Sequence, residues 1–288
     1  MTNPADAMGN DADHDLIGSG GPRGDAGPTG GMITGPADGQ APASTGQPDR
    51  SDPAPSSDHD AEAKVRGADG IEAVLFDIDG TLVDSNDMHV LAWEEAFASI
   101  GATFDRSVIH DQIGKGTDML VPALMPDLDE AAIERLGDVH GRIFKEKFLE
   151  EVRPFPRAHD LLAHVHQAGQ MVVLASSASG AELEYYLALL GAGDLVAATT
   201  SSDDVAQTKP AADIFSKALA KLPGVSADRA IVVGDTPYDI EAAAKVGIAS
   251  IAVRSGGFSD DVLSSAGAIA IYDDVAALLA DYGHSPLV

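Results

Sequence analysis

No cysteine occurs anywhere in the 288-residue chain, which excludes disulfides, thiolate metal ligands and a thiol nucleophile. No stretch approaches the ~18 consecutive apolar residues of a membrane-spanning helix. The N-terminus has no basic stretch followed by an apolar core, so no secretory signal is expected. Aromatic residues are scarce at 5%, and 18 Lys and Arg stand against 46 Asp and Glu, for a formal charge of −28. A surface this negative repels nucleic-acid phosphates and anionic lipid, so neither is an expected partner. It repels small anions too, so a phosphate site has to be built from local cations. The missing cysteine fits a cytoplasmic protein, and the expected assembly is a monomer or weak dimer.

What is present falls into two parts. Residues 1–70 are rich in Gly, Pro, Asp and Ser and nearly free of aromatic and branched apolar side chains. Such a segment buries too little surface to offset its ordering entropy, and it reads as a disordered acidic tail. From residue 71 onward, apolar strand patterns alternate with helical ones. Strands are predicted over 73–77, 171–175, 196–200, 230–234 and 249–253, with a weaker one near 268–272. Helices are predicted over 158–168, 180–191, 211–221 and 238–246. This alternation gives an α/β fold, a Rossmann-like parallel sheet with helices on both faces. Nearly a hundred residues separate the first two strands, too many for one crossover. Val90, Trp93, Phe97 and Ile100 recur there at helical spacing. Asp129 is placed to cap a second helix carrying Leu136, Val139, Ile143, Phe144 and Phe148. Arg153–Pro156 breaks helix and marks the return to the sheet. The resulting division is a core of 71–84 and 155–288 with an inserted small helical cap, 85–154.

The run Ala73–Phe76 ends abruptly in Asp77 and Asp79, followed by Gly80. Side chains alternate along a strand, so these carboxylates leave its carboxyl end together, where open α/β sheets bind ligands. Two carboxylates there either hold a cation or share a proton, and a neighbouring carboxylate such as Asp77 favours the protonated form of Asp79. Further along, "VVLASSAS" puts Ser176 after a strand, with Ser177 and Ser179 beside it to bind a phosphoryl oxygen or cap the next helix. Lys209 precedes Pro210, read as opening a helix, and could balance the aspartates. Asp235 ends "AIVVG", and if Pro237 starts a helix, Asp239 sits in its first turn. An oxygen-rich pocket of this kind suits Mg2+.

"DIDGTLVDS", Ser176, Lys209 in "TKPAADIF" and "IVVGDTPYDIEAA" resemble, in order, the four signatures of the haloacid dehalogenase superfamily over roughly residues 71–288. The resemblance implies a Mg2+-dependent phosphatase of the helical-cap or β-phosphoglucomutase-like branch. It makes Asp77 the nucleophile, Asp79 the general acid and base, and Ser176 and Lys209 phosphoryl-binding groups. Asp77, Asp235 and the backbone carbonyl of Asp79 would hold the metal, assisted by Asp239. Hydrolytic dehalogenases lack the second aspartate, so Asp79 directs the reading to phosphate esters. Gly80 permits an unusual backbone geometry and could expose amides to phosphate, and Thr81 is read as a turn hydroxyl or a phosphate contact. His89, in "DSNDMHVLAW", lies near the site in those branches, and a packing histidine is the alternative. Lys115 in "IGKGTD" meets an anionic group or sits in an ordinary turn. The expected partner is a small phosphorylated metabolite such as a sugar phosphate or phosphoglycolate. Two rivals stay open: a β-phosphoglucomutase-type phosphomutase, and a non-enzymatic binding protein.

Overall fold

The computed structural model describes residues 70–288. The tail expected over 1–70 lies, but for its last residue, outside the described residues. The strands are β1 Ala73–Phe76, β2 Val83–Asp84, β3 Arg153–Pro154, β4 Met171–Ala175, β5 Val196–Thr200, β6 Ala230–Gly234, β7 Ala249–Val253 and β8 Ala270–Tyr272. All but β2 and β3 form one six-stranded parallel sheet in the order β5-β4-β1-β6-β7-β8. The strands predicted at 73–77, 171–175, 196–200, 230–234 and 249–253 are all there, the first ending at Phe76, and the one predicted near 268–272 shortens to Ala270–Tyr272.

The sheet is buried on both faces, so its strands read as continuous apolar runs rather than alternating ones. In β1, Val74 and Phe76 pack into one cluster with Leu161, Leu162 and Val165 of α5 (Ala158–Gln167, the fifth α-helix among the described residues). Ala73 and Leu75 face the other way, towards Ile214, Phe215 and Ala218 of the helix Asp213–Ala220. That helix begins three residues beyond Pro210, which lies in a turn and opens no helix. The same fixed φ that suits proline to a first helical turn also suits it to a tight turn, and the sequence does not separate the two.

Between β2 and β3 run four helices: α1 Asn86–Ser99, α2 Arg106–His110, α3 Thr117–Leu124 and α4 Glu130–Lys147. Asp129 caps α4 by accepting from the Ala132 amide at 2.8 Å. The four share a core of Val90, Trp93, Phe97, Ile109, Leu120 and Leu136. Ile100 is not part of it. It ends α1 and is 51% exposed, because the chain leaves helical geometry there. The excursion departs through β2 and returns through β3, which pair antiparallel, Val83 with Pro154 and Asp84 with Arg153. The remaining helices are α6 Gly180–Leu190, α7 Asp213–Ala220, α8 Pro237–Lys245, α9 Asp260–Ala266 and α10 Val275–Ala280. From β1 the chain builds outward through β4 to β5, then restarts on the opposite side at β6. The carboxyl ends of β1, β4 and β6 therefore flank a topological switch point, the place where this architecture leaves a crevice.

Candidate active site

Three strand ends deliver side chains into that crevice: Asp77 after β1, Ser176 after β4 and Asp235 after β6. The Asp77 amide donates to the Val233 carbonyl at 2.9 Å and the Ser176 amide to the Thr200 carbonyl at 3.0 Å, so ladder bonds carry on past each strand end and fix both residues. Asp239 enters from the first turn of α8, which does start at Pro237. Thr236 and Asp239 form a reciprocal capping box there, with the Thr236 hydroxyl donating to Asp239 Oδ2 at 2.7 Å.

Asp77, Asp235 and Asp239 are all buried, and one oxygen from each lies within 4.8 Å of the others. Lys209, itself 1% exposed, ion-pairs with Asp77 and sits 2.7 Å from Asp239 Oδ1. Three carboxylates facing one ammonium leave two excess negative charges in a place without bulk water. The consequence shows in the acids. Burial, opposed by Lys209 and reinforced by Asp239 and Asp79, pushes the Asp77 carboxyl up to about 7. Burial, with Asp77 and Asp239 beside it, holds Asp235 well above the carboxylate range. An all-oxygen donor set short of two positive charges fits a hard divalent cation such as Mg2+.

Asp235 is organised by residues the sequence reading did not assign to it. The Thr81 hydroxyl donates to its Oδ1 at 2.8 Å and the Asn86 amide to its Oδ2 at 3.0 Å. Thr81 is therefore neither a plain turn hydroxyl nor a free phosphate donor in this arrangement. Asn86 Oδ1 is buried without a hydrogen-bond partner. Gly80 has φ +77°, and its amide donates to the Val83 carbonyl rather than facing the crevice. Gly256 lies against the other side of Asp235. A Cβ there would collide with Oδ2 and come within 2.7 Å of Cγ. Gly256→Ala is accordingly expected to destabilise the protein by about 1–3 kcal/mol and to weaken divalent-cation binding. Urea denaturation and titration calorimetry check the two effects, and unchanged values in both would show that Asp235 has room to move.

Asp79 turns away from the acidic trio. Its Oδ1 accepts from Ser85 at 2.7 Å and lies 3.2 Å from His89 Nε2, and its Oδ2 lies 3.4 Å from the Ser176 hydroxyl. Burial alone would raise its pKa, but the bonds from His89 and Ser85 and the charge of His89 bring it below the usual value. The expectation that Asp77 would favour a protonated Asp79 is thus corrected: Asp79 is lowered, and Asp77 is the acid whose proton is held more tightly. The physical reason is local company, since Asp79 has a set of donors and Asp77 shares one lysine. His89 stacks on Phe144 at 3.8 Å between ring centroids, and its Nδ1 lies 3.4 Å from Nε2 of His140. Lys115 is half-buried, donates to Gln112 at 2.6 Å and lies over the Tyr238 ring. Ser179 caps α6, whereas the Ser177 hydroxyl reaches the Gly114 carbonyl at 3.2 Å. A cavity of about 670 Å³ joins these groups, with Asp77, Asp79 and Ser176 at its floor and Lys115, His140 and Arg142 on its walls. Such a volume suits a small ligand.

Residues 74–253 match the family model for haloacid dehalogenase-like hydrolases. The phosphoglycolate phosphatase of Rhodospirillum rubrum is 29% identical over 216 residues, 72% of this chain and 89% of that one. A solved hydrolase from Pseudomonas syringae superposes with a TM-score of 0.70 at 27% identity, covering 74% of this chain and 98% of its own. A variant of CbbY from Rhodobacter sphaeroides, solved with xylulose-1,5-bisphosphate, gives a TM-score of 0.60 at 26% identity, covering 72% and 96%.

Proposed function

The chain belongs to the haloacid dehalogenase-like hydrolases, and on that premise we propose that it is a Mg2+-dependent phosphatase that cleaves a small phosphorylated metabolite through an aspartyl-phosphate. The observation that carries this reading is the placement of Asp77: a buried carboxylate at a strand end, paired with Lys209, at the floor of a cavity open to a small ester. Asp77, Asp235 and Asp239 would hold the cation with the backbone carbonyl of Asp79. When bound, the cation supplies positive charge that balances the carboxylates and the phosphoryl oxygens.

In this reading an Asp77 oxygen attacks phosphorus and the bond to the ester oxygen breaks. Asp79 delivers its proton to the departing alkoxide. Asp79 is ionised at rest; the negative charge of the arriving phosphate raises its pKa, and it takes up one proton from solvent as the ester binds, which is the proton it gives to the alkoxide. It then takes a proton from water as the water attacks phosphorus, which releases inorganic phosphate and restores Asp77. Lys209 stays paired with Asp77 and offsets charge on the transferring group, while Ser176 offers it a hydroxyl and amide. His89 holds Asp79 in place. The helical block between β2 and β3 serves as a lid, with Lys115 on its inner wall.

Phosphoglycolate and sugar phosphates are the substrates favoured here, on the strength of the phosphoglycolate phosphatase and the bisphosphate-bound CbbY among the relatives. A phosphomutase is the second reading, supported by His89 standing over Asp79 inside a cavity large enough to keep a sugar. Screening phosphorylated metabolites with Mg2+ should give free phosphate, and EDTA should lower turnover by about 10³-fold or more. Turnover unchanged in chelator would remove the metal from the reading. Intramolecular transfer without release of phosphate would select the mutase.

No helix among the described residues is long and apolar enough to cross a membrane.

A further inference from the structure

The turn Ile113–Gly116, between α2 and α3, and Asp118 in the first turn of α3 contact the sheet domain at three places. The Gly114 carbonyl accepts from Ser177, the residue after Ser176. Gly114, at φ +100°, lies so close to Thr236, the residue after Asp235, that a Cβ would sit 2.7 Å from its methyl. The third contact is the most elaborate and falls on Thr208, the residue before Lys209. Asp118 Oδ1 accepts from the Thr208 hydroxyl at 2.5 Å, and Oδ2 accepts from the Thr208 amide at 3.0 Å. The same hydroxyl accepts from the Gly116 amide at 2.8 Å. A Cβ on Gly116 would lie 2.6 Å from that hydroxyl, so only glycine permits the approach.

Each contact thus lands one residue away from a side chain of the crevice. At Thr208 the grip is two-pronged, taking both backbone and hydroxyl of a residue that is itself 6% exposed. A bidentate carboxylate fixes orientation as well as position. The next residue carries the ammonium that pairs with Asp77 and Asp239. A residue so held cannot shift without carrying Lys209 with it. We propose that Asp118 is a positioning residue for the reaction: with the helical block seated, its carboxylate sets Lys209 through Thr208, so that seating the block and completing the phosphoryl site are one event. The proposal rests on the phosphatase reading for its kinetic consequence, and on geometry alone for its structural one.

The test uses the full chain with Asp118→Asn, Thr208→Val, the double variant and Thr208→Ser. Asp118→Asn is expected to lower kcat about 10- to 100-fold with KM little changed, since a misplacement of about 1 Å can cost that much. Thr208→Val should do the same, the double variant should lose no more than either alone, and Thr208→Ser should recover most of the rate. Losses that multiply, or a fall in melting temperature with kcat intact, would overturn the proposal. Hydrogen exchange of the segment around Thr208 gives an answer that does not depend on turnover. Asp118→Asn should speed exchange at the Thr208 amide, and unchanged protection would refute the coupling. If the wild-type chain released no phosphate from any ester, the phosphatase reading would fail while the exchange result still decided the placement of Thr208.

Discussion

Asp77→Asn should lower kcat by about 10⁴-fold or more, the scale on which losing a nucleophile is felt, while leaving the fold intact. The stability half of this expectation follows from the crowding of the acids. The Asp77 carboxyl stands at about 7 in the folded protein against an ordinary 3.8. Between those values the folded state holds a proton that the unfolded chain has released, so stability without metal falls as pH rises through that window. Asn cannot ionise, and Lys209 keeps Asp239 as a partner. In EDTA the variant should therefore match the wild type near pH 4 and melt at an equal or higher temperature near pH 8. Intact turnover would displace Asp77 as nucleophile, and a large loss of stability at pH 8 would mean that the carboxylate is structural.

Lys209→Met should have the opposite profile, damaging both activity and stability. The methionine fits the volume but leaves three buried carboxylates without their ammonium. Stranding a buried charge by removing its partner costs about 3–5 kcal/mol. Here burial, which disfavours the ammonium, is outweighed by Asp239 and Asp77, and the lysine is held above its usual pKa. Its Nζ also lies 5.4 Å from the Phe215 ring centroid. Denaturant unfolding in EDTA should show the loss, and added Mg2+ should recover part of it by supplying charge to the same oxygens. A variant as stable as the wild type, or one that still turns over, would show that another cation balances the trio.

Much of this was legible in the sequence because it is local. A strand run fixes where Asp77, Ser176 and Asp235 emerge, and the Pro237 helix start fixes Asp239. What escaped is carried by pairs far apart in the chain. Asn86 reaches Asp235 across 149 residues, Asp118 reaches Thr208 across 90, and His140 reaches His89 across 51. No periodicity marks such pairs, since each is created only when separate elements pack. Ser85, Ser176 and His89 around Asp79 likewise overturn an expectation drawn from its nearest acidic neighbour alone.

The two-residue ribbon of β2 and β3 has a consequence for the gene as well as the molecule. It brings the outgoing and returning chain to paired positions, about 5 Å apart in such a ladder. The whole four-helix excursion therefore begins and ends at one spot, and a tight hairpin could replace it without stretching the sheet. Helical modules of other lengths could be spliced between Asp84 and Arg153 without disturbing the sheet, provided that they again supply the partners that Ser85, Asn86, His89 and Asp118 give to Asp79, Asp235 and Thr208.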